Sequence, residues 1–485
     1  MILLFSLALI LPFLTAFLVG GMKRKASSSF SIVMTLVTLI CAMVGVIRIF
    51  PHKIEYILVN WSWLETHRGI FGFFLDPLSS LMLIVITVIG FLVVLYSLRY
   101  IGPDNRDHPL HHGESRYYFW LLLFIGSMIG VVTAPNFLQL FVFWELTTLC
   151  SWALISFYRT EEGLTAGFKA LTMTYIGGIF FLLGLVILFV ATKSFSFDAI
   201  NLLSPSRKTI VFILFLIAAW AKSSQIPFYT WLPDAMAAPT TISCYLHAAA
   251  MVKAGVYLIA RTFISVSGIS WATGLIVSFG AILTMLVALF FFFFQDDLKR
   301  LLAYSTIAHL GYILLGVGLG ILGSSIGFQG GVLHIICHAF AKGLLFLTVG
   351  VIAYAAGTKS IKRLQGLSHT MPLVTVAFLV GICAVTGIPP FSCFWSKFFL
   401  ITGSLQIGGL IGILILIPFI VEVVLAFAWF FFVGQKIFFG EPSDSAWKVQ
   451  RIPWSMSFVL IVLMAFCLIA PLIGMSIVKM IHLSP

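Results

Sequence analysis

Residues 270–294 read SWATGLIVSFGAILTMLVALFFFFF, and this stretch decides the class of fold. It contains no charged side chain and is long enough to cross a bilayer, which takes about 20 apolar residues in a helix. Backbone amides and carbonyls in lipid must pair within their own segment. The stretch is therefore predicted to be a transmembrane helix.

The rest of the chain repeats this pattern. Of its 485 residues, 61% are hydrophobic and 9% are charged, whereas a soluble domain has roughly 25% charged residues. The composition excludes a water-soluble protein and predicts an all-α polytopic membrane protein that forms a single membrane domain over residues 1–485. Hydropathy predicts about 14 spans, near 1–20, 30–50, 76–98, 117–134, 136–157, 169–192, 209–227, 240–262, 270–294, 301–322, 328–356, 370–390, 406–434 and 454–478.

The basic residues predict the orientation of these spans. Of the 28 Lys and Arg residues, 15 lie in loops that join an odd-numbered span to the next one. Eight lie on the opposite side, namely Arg48, Lys53, Arg68, Lys193, Arg207, Lys208, Arg261 and Lys479. The positive-inside rule puts the richer loops in the cytoplasm and both termini outside. Since the first span has no basic region before it, it is predicted to be a span and not a cleaved signal peptide.

The chain shows no sign of a redox centre of its own. Its seven cysteines lie in or beside apolar segments without a CxxC pair, which favours apolar packing over an Fe–S or zinc site. There is no GxGxxG or Walker motif. We expect no cofactor in this chain, and any redox centres would belong to partner subunits. The formal charge of +12 comes mostly from basic residues in the loops between spans. Nucleic acid is therefore not an expected partner.

Ionisable side chains nevertheless occur inside the spans or at their interruptions. They are Glu145, Lys222, His247, Lys253, His309, His334, His338, Lys342, Lys397 and Glu422. A charge at the bilayer centre costs about 2.5–3.5 kcal/mol on the gentlest scale. A chain of titratable groups is therefore favoured over isolated structural ion pairs. Protons suit this chemistry because burial and a neighbouring carboxylate shift the pKa of a lysine in opposite directions, and imidazole titrates near neutrality.

One span holds three of these residues on one helical face. His334, His338 and Lys342 follow at i, i+4 and i+8. The two histidines also have metal-ligand spacing, but Lys342 on the same face would repel a cation, so no metal is predicted. His309 is open to two interpretations, as part of the relay or as a hydrogen-bonded interior histidine.

The remaining charges are interpreted by their surroundings. Glu422 has no basic neighbour one turn away, so its partner is expected on another helix or another subunit. The short charged loops are predicted to be solvated; they contain Glu161, Glu162, Asp296, Asp297, Lys299 and Arg300.

Two spans are interrupted by proline. Residues 222–228 read KSSQIPF and are followed by WLPD at 231–234, while residues 386–392 read TGIPPFS and are followed by WSK at 395–397. Pro227, Pro233, Pro389 and Pro390 should break the helices, because proline removes a backbone donor and clashes with the preceding turn. Five spans separate the breaks. This odd offset predicts an inverted repeat with an ion site at each break, and two unrelated kinks are the alternative.

These motifs resemble a known superfamily. FWEL at 143–146, AKSSQIP at 221–227, WLPDAM at 231–236 and MVKAGVY at 251–257 are similar to the antiporter-like subunits of complex I, Mrp antiporters and group 4 membrane-bound hydrogenases. RYY at 116–118, CSWALIS at 150–156 and KF at 397–398 look most like the hydrogenase-4 component D branch.

The resemblance implies fourteen helices with two inverted five-helix repeats and two broken helices. Residues 1–98 would hold helices 1–3, 117–262 the first repeat, 270–434 the second repeat and 454–485 helix 14. It also implies an entry half-channel at Glu145 and Lys222, an exit at Lys397 and a relay between them. The relay would run through His247, Lys253 and the span of His334 and His338.

The expected function is that of a proton-translocating subunit of a bacterial membrane-bound oxidoreductase of the hydrogenase-4 or NADH:quinone oxidoreductase type. The alternative is a subunit of an Mrp-type sodium/proton antiporter. The expected partners are antiporter-like and quinone-module-like membrane subunits, peripheral subunits with Fe–S or NiFe centres, and the lipid of the bacterial inner membrane. Whether the chain counts as an enzyme depends on those partners.

Overall fold

The computed structural model describes residues 2–49, 52, 54–59 and 71–481, and the chain there is a bundle of helices. The first half consists of α1 (Ile2–Gly20), α2 (Arg24–Ile49), α3 (Pro77–Tyr100), α4 (Glu114–Val132), α5 (Phe137–Ile155), α6 (Glu161–Thr192), α7 (Pro205–Lys222), α8 (Trp231–Asp234), α9 (Thr240–Ala248) and α10 (Met251–Ser265). The second half consists of α11 (Trp271–Phe292), α12 (Leu298–Ile321), α13 (Ser325–Ala356), α14 (Pro372–Thr386), α15 (Ser392–Ile407), α16 (Gly409–Phe438), α17 (Asp444–Trp447) and α18 (Trp454–Val478). Short 3₁₀ helices lie at Phe197–Leu202, Ala235–Ala237 and Leu367–His369.

The helical class and the membrane character agree with the sequence analysis. Among the described residues, twelve helical segments are long and apolar enough to cross a membrane, with α9 and α10 counted together as Thr240–Ser265. Helix α14 is apolar but shorter than these. The count of about 14 spans and the two inverted repeats stay predictions.

The fold is not wholly α-helical. Strands β1 (Ile54–Val59) and β2 (Phe71–Leu75) form an antiparallel hairpin before α3. The side chain of Gln139 fixes β2 to α5, because it accepts from the Gly72 amide at 2.9 Å and donates to the Gly72 carbonyl at 3.1 Å. The prediction of an all-α chain missed this hairpin, since segments of five or six β-branched and aromatic residues are too short to register as spans.

The predicted span 240–262 is two helices. Helix α9 ends at Ala248 and α10 begins at Met251, and the amides of Ala249 and Ala250 both donate to the carbonyl of Tyr245. This wide turn interrupts the helical ladder, as π-type turns do. Residues Thr240–Ser265 still form one candidate membrane span, as predicted, but neither proline nor glycine marks the turn that divides it into two helices.

Both proline interruptions separate helices. Pro227 lies in the link between α7 and α8, and Pro389 and Pro390 lie in the link between α14 and α15. Pro233 does not break a helix. It lies inside the four-residue α8, where the missing amide has no partner to lose. Residues 391–405 fall between two predicted spans, but most of them form α15, which packs against α13.

The loops fall on two faces of the bundle. Loops after odd-numbered predicted spans contact each other: Lys359 pairs with Asp107 at 3.4 Å, and the Ser360 hydroxyl donates to Asp296 at 2.8 Å. Loops after even-numbered predicted spans contact each other on the other face, where Asn201 donates to the Ser265 carbonyl at 2.8 Å. Lys53 and Arg68 lie outside the described residues.

The prediction that Arg261 is a loop residue is wrong. Arg261 lies in α10, fully buried, and forms a bidentate pair with Asp76 at 2.6 and 2.7 Å. Its Nη2 also donates to the Ser79 hydroxyl at 2.9 Å. The pair ties α10 to the start of α3, so Arg261 does not count in the loop charge balance.

Helix α13 forms the centre of the bundle. It is buried over the window that could span a membrane, as are α12 and the α9–α10 pair, whereas only 39% of the corresponding residues of α6 and 22% of those of α16 are buried. Helices α9, α12, α15 and α18 pack around α13. Side chains on α13 therefore face protein on all sides, which places its polar residues away from lipid.

Candidate proton path

Lys222 ends α7 and is fully buried. Its ammonium donates to the Trp144 carbonyl at 2.9 Å and to the Thr148 hydroxyl at 2.6 Å, both on α5. The Lys222 Nζ also lies 4.9 Å from the centre of the Trp144 ring. These contacts can hold a positive charge in an apolar setting, because two acceptors and a ring face replace water.

Glu145 lies beside this lysine on α5 but does not bond to it. In the described part of the chain, no ion pair within 4.0 Å joins Glu145 to Lys222. The Oε1 atom of Glu145 is buried and has no hydrogen-bond partner among the described residues. It packs against Gly178 of α6, where a Cβ would collide with the carboxylate. A glycine at this point therefore leaves room for the carboxylate between the helices.

Lys253 contacts the predicted histidine helix directly. Its Nζ lies 3.0 Å from His338 Nδ1 and donates to the Ile335 carbonyl at 3.0 Å. Both side chains are fully buried. The other ring nitrogen of His338 has no hydrogen-bond partner in the part of the chain that the structure describes. The pair can exchange a proton directly, since a donor and an acceptor nitrogen are within hydrogen-bond distance.

His309 belongs to the same cluster. Its Nδ1 lies 2.9 Å from His334 Nε2, and the two rings stack with centres 5.1 Å apart. His334 Nδ1 in turn lies 2.8 Å from the Ser396 hydroxyl on α15. The His309 and His338 rings are 5.0 Å apart. The structure thus connects three histidines from α12 and α13, which the sequence could not establish for His309.

Lys397 and Glu422 lie beyond these histidines. The Lys397 Nζ donates to the Thr386 carbonyl, the last residue of α14, at 2.8 Å. The Tyr312 hydroxyl donates to Glu422 Oε2. The partner that Glu422 was expected to need on another helix is therefore Tyr312 of α12.

His247 and Lys342 lie inside the bundle but are less connected. Over the described ranges neither ring nitrogen of His247 has a hydrogen-bond partner, and its ring centre lies 4.7 Å from that of Phe346. Lys342 donates to the Leu302 carbonyl at 3.1 Å and lies over the Phe430 ring. Both are fully buried, so each is a titratable group without a charged partner at bonding distance.

Direct bonds do not make the path continuous. Within the described residues, no side-chain hydrogen bond joins Lys222 to Lys253. Between them the Ser223 hydroxyl donates to the Val252 carbonyl at 2.8 Å, which holds α7 against α10. A proton crossing from the first lysine to the second would need water or side-chain movement at this point.

Lys299 was expected in a solvated loop, and that prediction was wrong. Its side chain is buried and donates to the Met236 and Ala238 carbonyls at 2.7 and 2.6 Å. These carbonyls end the short 3₁₀ helix after the first break, where unpaired carbonyls attract a cation. Arg300 and Asp234 do remain partly exposed and pair at 3.2 Å.

Sequence reasoning missed three side chains that contact the predicted path. They are Thr148, Tyr312 and Ser396. Two had a weak signal: Thr148 lies three residues after Glu145 and Tyr312 three after His309, so each shares a face with a charged neighbour. Ser396 had no such signal. Among the described residues, no group of three or more His, Cys, Asp or Glu side chains is arranged to hold a metal ion.

These elements define a class: a polytopic helical membrane protein with buried lysines, histidines and glutamates distributed across its centre. A family profile described as "NADH:quinone oxidoreductase/Mrp antiporter, TM" matches residues 134–425, more than half of the chain. A second one, the N-terminus of chain 5 of NADH-ubiquinone oxidoreductase (complex I), matches residues 63–109. The chain belongs to this family of antiporter-like membrane subunits.

Relatives and solved structures agree with this assignment. One Na⁺/H⁺ antiporter subunit from Alkalihalophilus pseudofirmus is 34% identical over 93% of the chain and 58% of its own length. NAD(P)H-quinone oxidoreductase subunit 5 of Anthoceros angustus chloroplasts is 34% identical over 81% and 54%. The chain thus spans little more than half the length of these curated relatives.

Two solved structures share its fold. A chain of the archaeal membrane-bound sulfane sulfur reductase superposes with a TM-score of 0.86 at 25% identity, over 98% of this chain and 96% of that one. A chain of the Mrp complex of Dietzia sp. DQ12-45-1b gives 0.85 at 28% identity, over 98% and 51%.

Proposed function

We propose that this chain moves protons across a membrane as the antiporter-like subunit of an oxidoreductase complex. The observation that carries the proposal is the direct contact of Lys253 with His338, in a cluster that continues through His309 and His334 to Ser396. Lys253, His334, His338 and Ser396 are fully buried, and His309 is 3% exposed. A structural ion pair needs only its two partners. A proton relay needs several titratable groups in succession, and imidazole suits this role because it titrates near neutrality.

The roles follow from the contacts. Glu145 and Lys222 form the loading site, where movement of the Glu145 carboxylate toward the ammonium would change the affinity of the lysine for a proton. Lys253 and the histidines relay the proton, with His247 and Lys342 as side groups. Lys397 and Glu422 receive the proton near the second break. The redox free energy is supplied elsewhere, because each proton moved against the potential costs about 2.3 kcal/mol per 100 mV.

The finer assignments belong to this proposal. The motifs at 116–118 and 150–156 favour a hydrogenase-4-like complex. Its partners would be other antiporter-like and quinone-module-like subunits together with peripheral Fe–S or NiFe subunits. The membrane would be the bacterial inner membrane, with both termini outside. Two inverted repeats, 117–262 and 270–434, would place one lysine, Lys222 or Lys397, at each break.

The test is proton uptake by the native complex, purified through a tag on this chain and reconstituted into liposomes with an internal pH dye. We expect His338→Gln to lower the rate at least about tenfold, since a single lost hydrogen bond to a charged group is worth about 1.5–3 kcal/mol. His369→Gln is the matched control, because His369 is an exposed histidine outside the cluster. Equal rates in the two variants would refute the proposal.

The Mrp-type alternative is favoured by the similarity to the Na⁺/H⁺ antiporter of Alkalihalophilus pseudofirmus. The same liposomes discriminate the two. A proton flux driven by a sodium gradient without any redox substrate would support the antiporter. A flux that requires oxidation of a donor by the copurified subunits would support the oxidoreductase.

A further inference from the structure

Tyr312 lies where the histidine cluster meets the second half of the path. It follows His309 by one turn on α12, and its fully buried ring centre is 4.7 Å from that of His309 and 5.1 Å from that of His334. The Lys397 Nζ lies 5.3 Å from the same ring centre. No other side chain named in the path contacts histidines, a lysine and a carboxylate together.

Glu422 faces this tyrosine from α16, a helix in which only a minority of the residues are buried. On α16 the buried residues Gly412, Ile415 and Phe419 recur every three or four positions, and Glu422 continues that row. Its neighbours Val421 and Val424 are 43% and 57% exposed, whereas Glu422 is 2% exposed. The carboxylate therefore points inward, to the hydroxyl of Tyr312.

We propose that Tyr312 carries the proton between the histidine cluster and Glu422, so that Glu422 and Lys397 form the acid–base pair at the end of the path. This inference rests on the proposed function. In the step, the Tyr312 hydroxyl gives its proton to the Glu422 carboxylate while the tyrosine oxygen accepts one from a protonated imidazole of the cluster. The second transfer passes through a water or follows a side-chain rotation, because within the described residues no hydrogen bond joins the tyrosine oxygen to an imidazole nitrogen. One proton moves from an imidazolium to a carboxylate, and the tyrosine is unchanged at the end.

The two transfers are concerted because a free tyrosinate is costly in a buried site. Lys397 has a role in the same step, since its ammonium lies near the Tyr312 ring. The ammonium stabilises the Glu422 carboxylate, and this stabilisation is lost once the carboxylate is protonated. Each half of the chain then has a lysine beside a break and a glutamate on another helix, Lys222 with Glu145 and Lys397 with Glu422.

The test uses the reconstituted complex and two substitutions that keep side-chain size, Tyr312→Phe and Glu422→Gln. Tyr312→Phe retains the ring beside Lys397 and the histidines and removes only the hydroxyl. We expect both to lower proton flux at least tenfold. The control is Tyr96→Phe, because Tyr96 is also fully buried and its hydroxyl donates only to the Leu347 carbonyl, at 2.9 Å.

A readout beyond rate separates transfer from mere positioning. Infrared difference spectra during turnover should show a carboxyl band from protonated Glu422, absent in Glu422→Gln and absent or delayed in Tyr312→Phe. If the complex with Tyr312→Phe does not assemble, the proton flux of the complex with Glu422→Gln decides the test by the same criteria. Retention of flux within twofold, or an equal loss in Tyr96→Phe, overturns the inference.

The failure of this inference differs from that of the proposed function. If His338→Gln abolishes flux while Tyr312→Phe does not, only the tyrosine step is wrong. If neither substitution changes flux, the proposed function fails and the inference fails with it.

Discussion

At the scale of single residues, Thr148 determines how Lys222 holds its charge. Its hydroxyl accepts from Nζ at 2.6 Å, shorter than the bond to the Trp144 carbonyl. We expect Thr148→Val to slow proton flux about tenfold, because a hydrogen bond to a charged group contributes about 1.5–3 kcal/mol. Valine keeps the shape and removes the acceptor. Dye-monitored flux in liposomes measures the effect.

The matched control is Thr174→Val on α6. Thr174 is equally buried, but its hydroxyl donates to carbonyls of its own helix, at 2.7 Å to Ala170 and 3.3 Å to Leu171. Its loss should leave flux unchanged. A similar decrease in both variants would show that the Thr148 effect comes from packing and not from its bond to Lys222.

Sequence identified the charged members of the path but not their neutral partners. A lysine or glutamate in an apolar run is conspicuous because its cost is local and can be read from its immediate neighbours. Partners such as Ser396 for His334 come from helices distant in the chain. The error at Lys299 has the same origin. Its flanking charges suggested solvent, but its side chain folds back onto carbonyls some 60 residues away in the chain.

At the scale of elements, the proline breaks were predictable and the alanine break was not. Proline lacks an amide proton in any context, so Pro227, Pro389 and Pro390 predict an interruption by their residue type alone. Ala249 and Ala250 are good helix formers. The turn between α9 and α10 is therefore set by packing around the fully buried α9–α10 segment and not by propensity. Hydropathy likewise underestimated α15, because its inner face is polar at Ser392, Ser396 and Lys397.

The Arg261–Asp76 pair fastens α10 to α3. Burial raises the pKa of the Asp76 carboxyl, but the charge and hydrogen bonds of Arg261 outweigh this and leave that pKa below its usual value. We expect Asp76→Asn to destabilise the folded chain by about 3–5 kcal/mol, since it leaves a buried guanidinium without its counter-ion. Thermal unfolding of the purified complex in detergent measures this.

The depressed pKa of Asp76 also predicts a pH dependence. A carboxyl whose pKa is lowered on folding stabilises the folded state above its unfolded pKa of about 3.9, and this contribution is lost as pH falls toward the folded pKa. Wild-type melting temperature should therefore drop below about pH 4 by more than that of Asp76→Asn. Asp444→Asn, at an exposed aspartate, is the control. Parallel curves for Asp76→Asn and wild type would contradict the assignment.

At the scale of the whole molecule, the two sets of loops predict how the chain lies in its membrane. The loops after odd-numbered predicted spans carry most of the basic residues and contact each other, as Lys359 does Asp107. Counting Arg261 as buried lowers the opposite side from eight basic residues to seven, which strengthens the asymmetry. The richer face should be cytoplasmic.

Cysteine labelling tests this orientation. Leu202, 76% exposed between α6 and α7, and Trp447, 66% exposed between α16 and α18, lie in loops of opposite sets. We expect a membrane-impermeant maleimide to label Leu202→Cys in intact cells and Trp447→Cys only in inside-out vesicles. The native cysteines give a low background because six are buried and Cys383 lies in the apolar helix α14. The reverse pattern would place the basic-rich loops outside and both termini in the cytoplasm, which contradicts the proposed orientation.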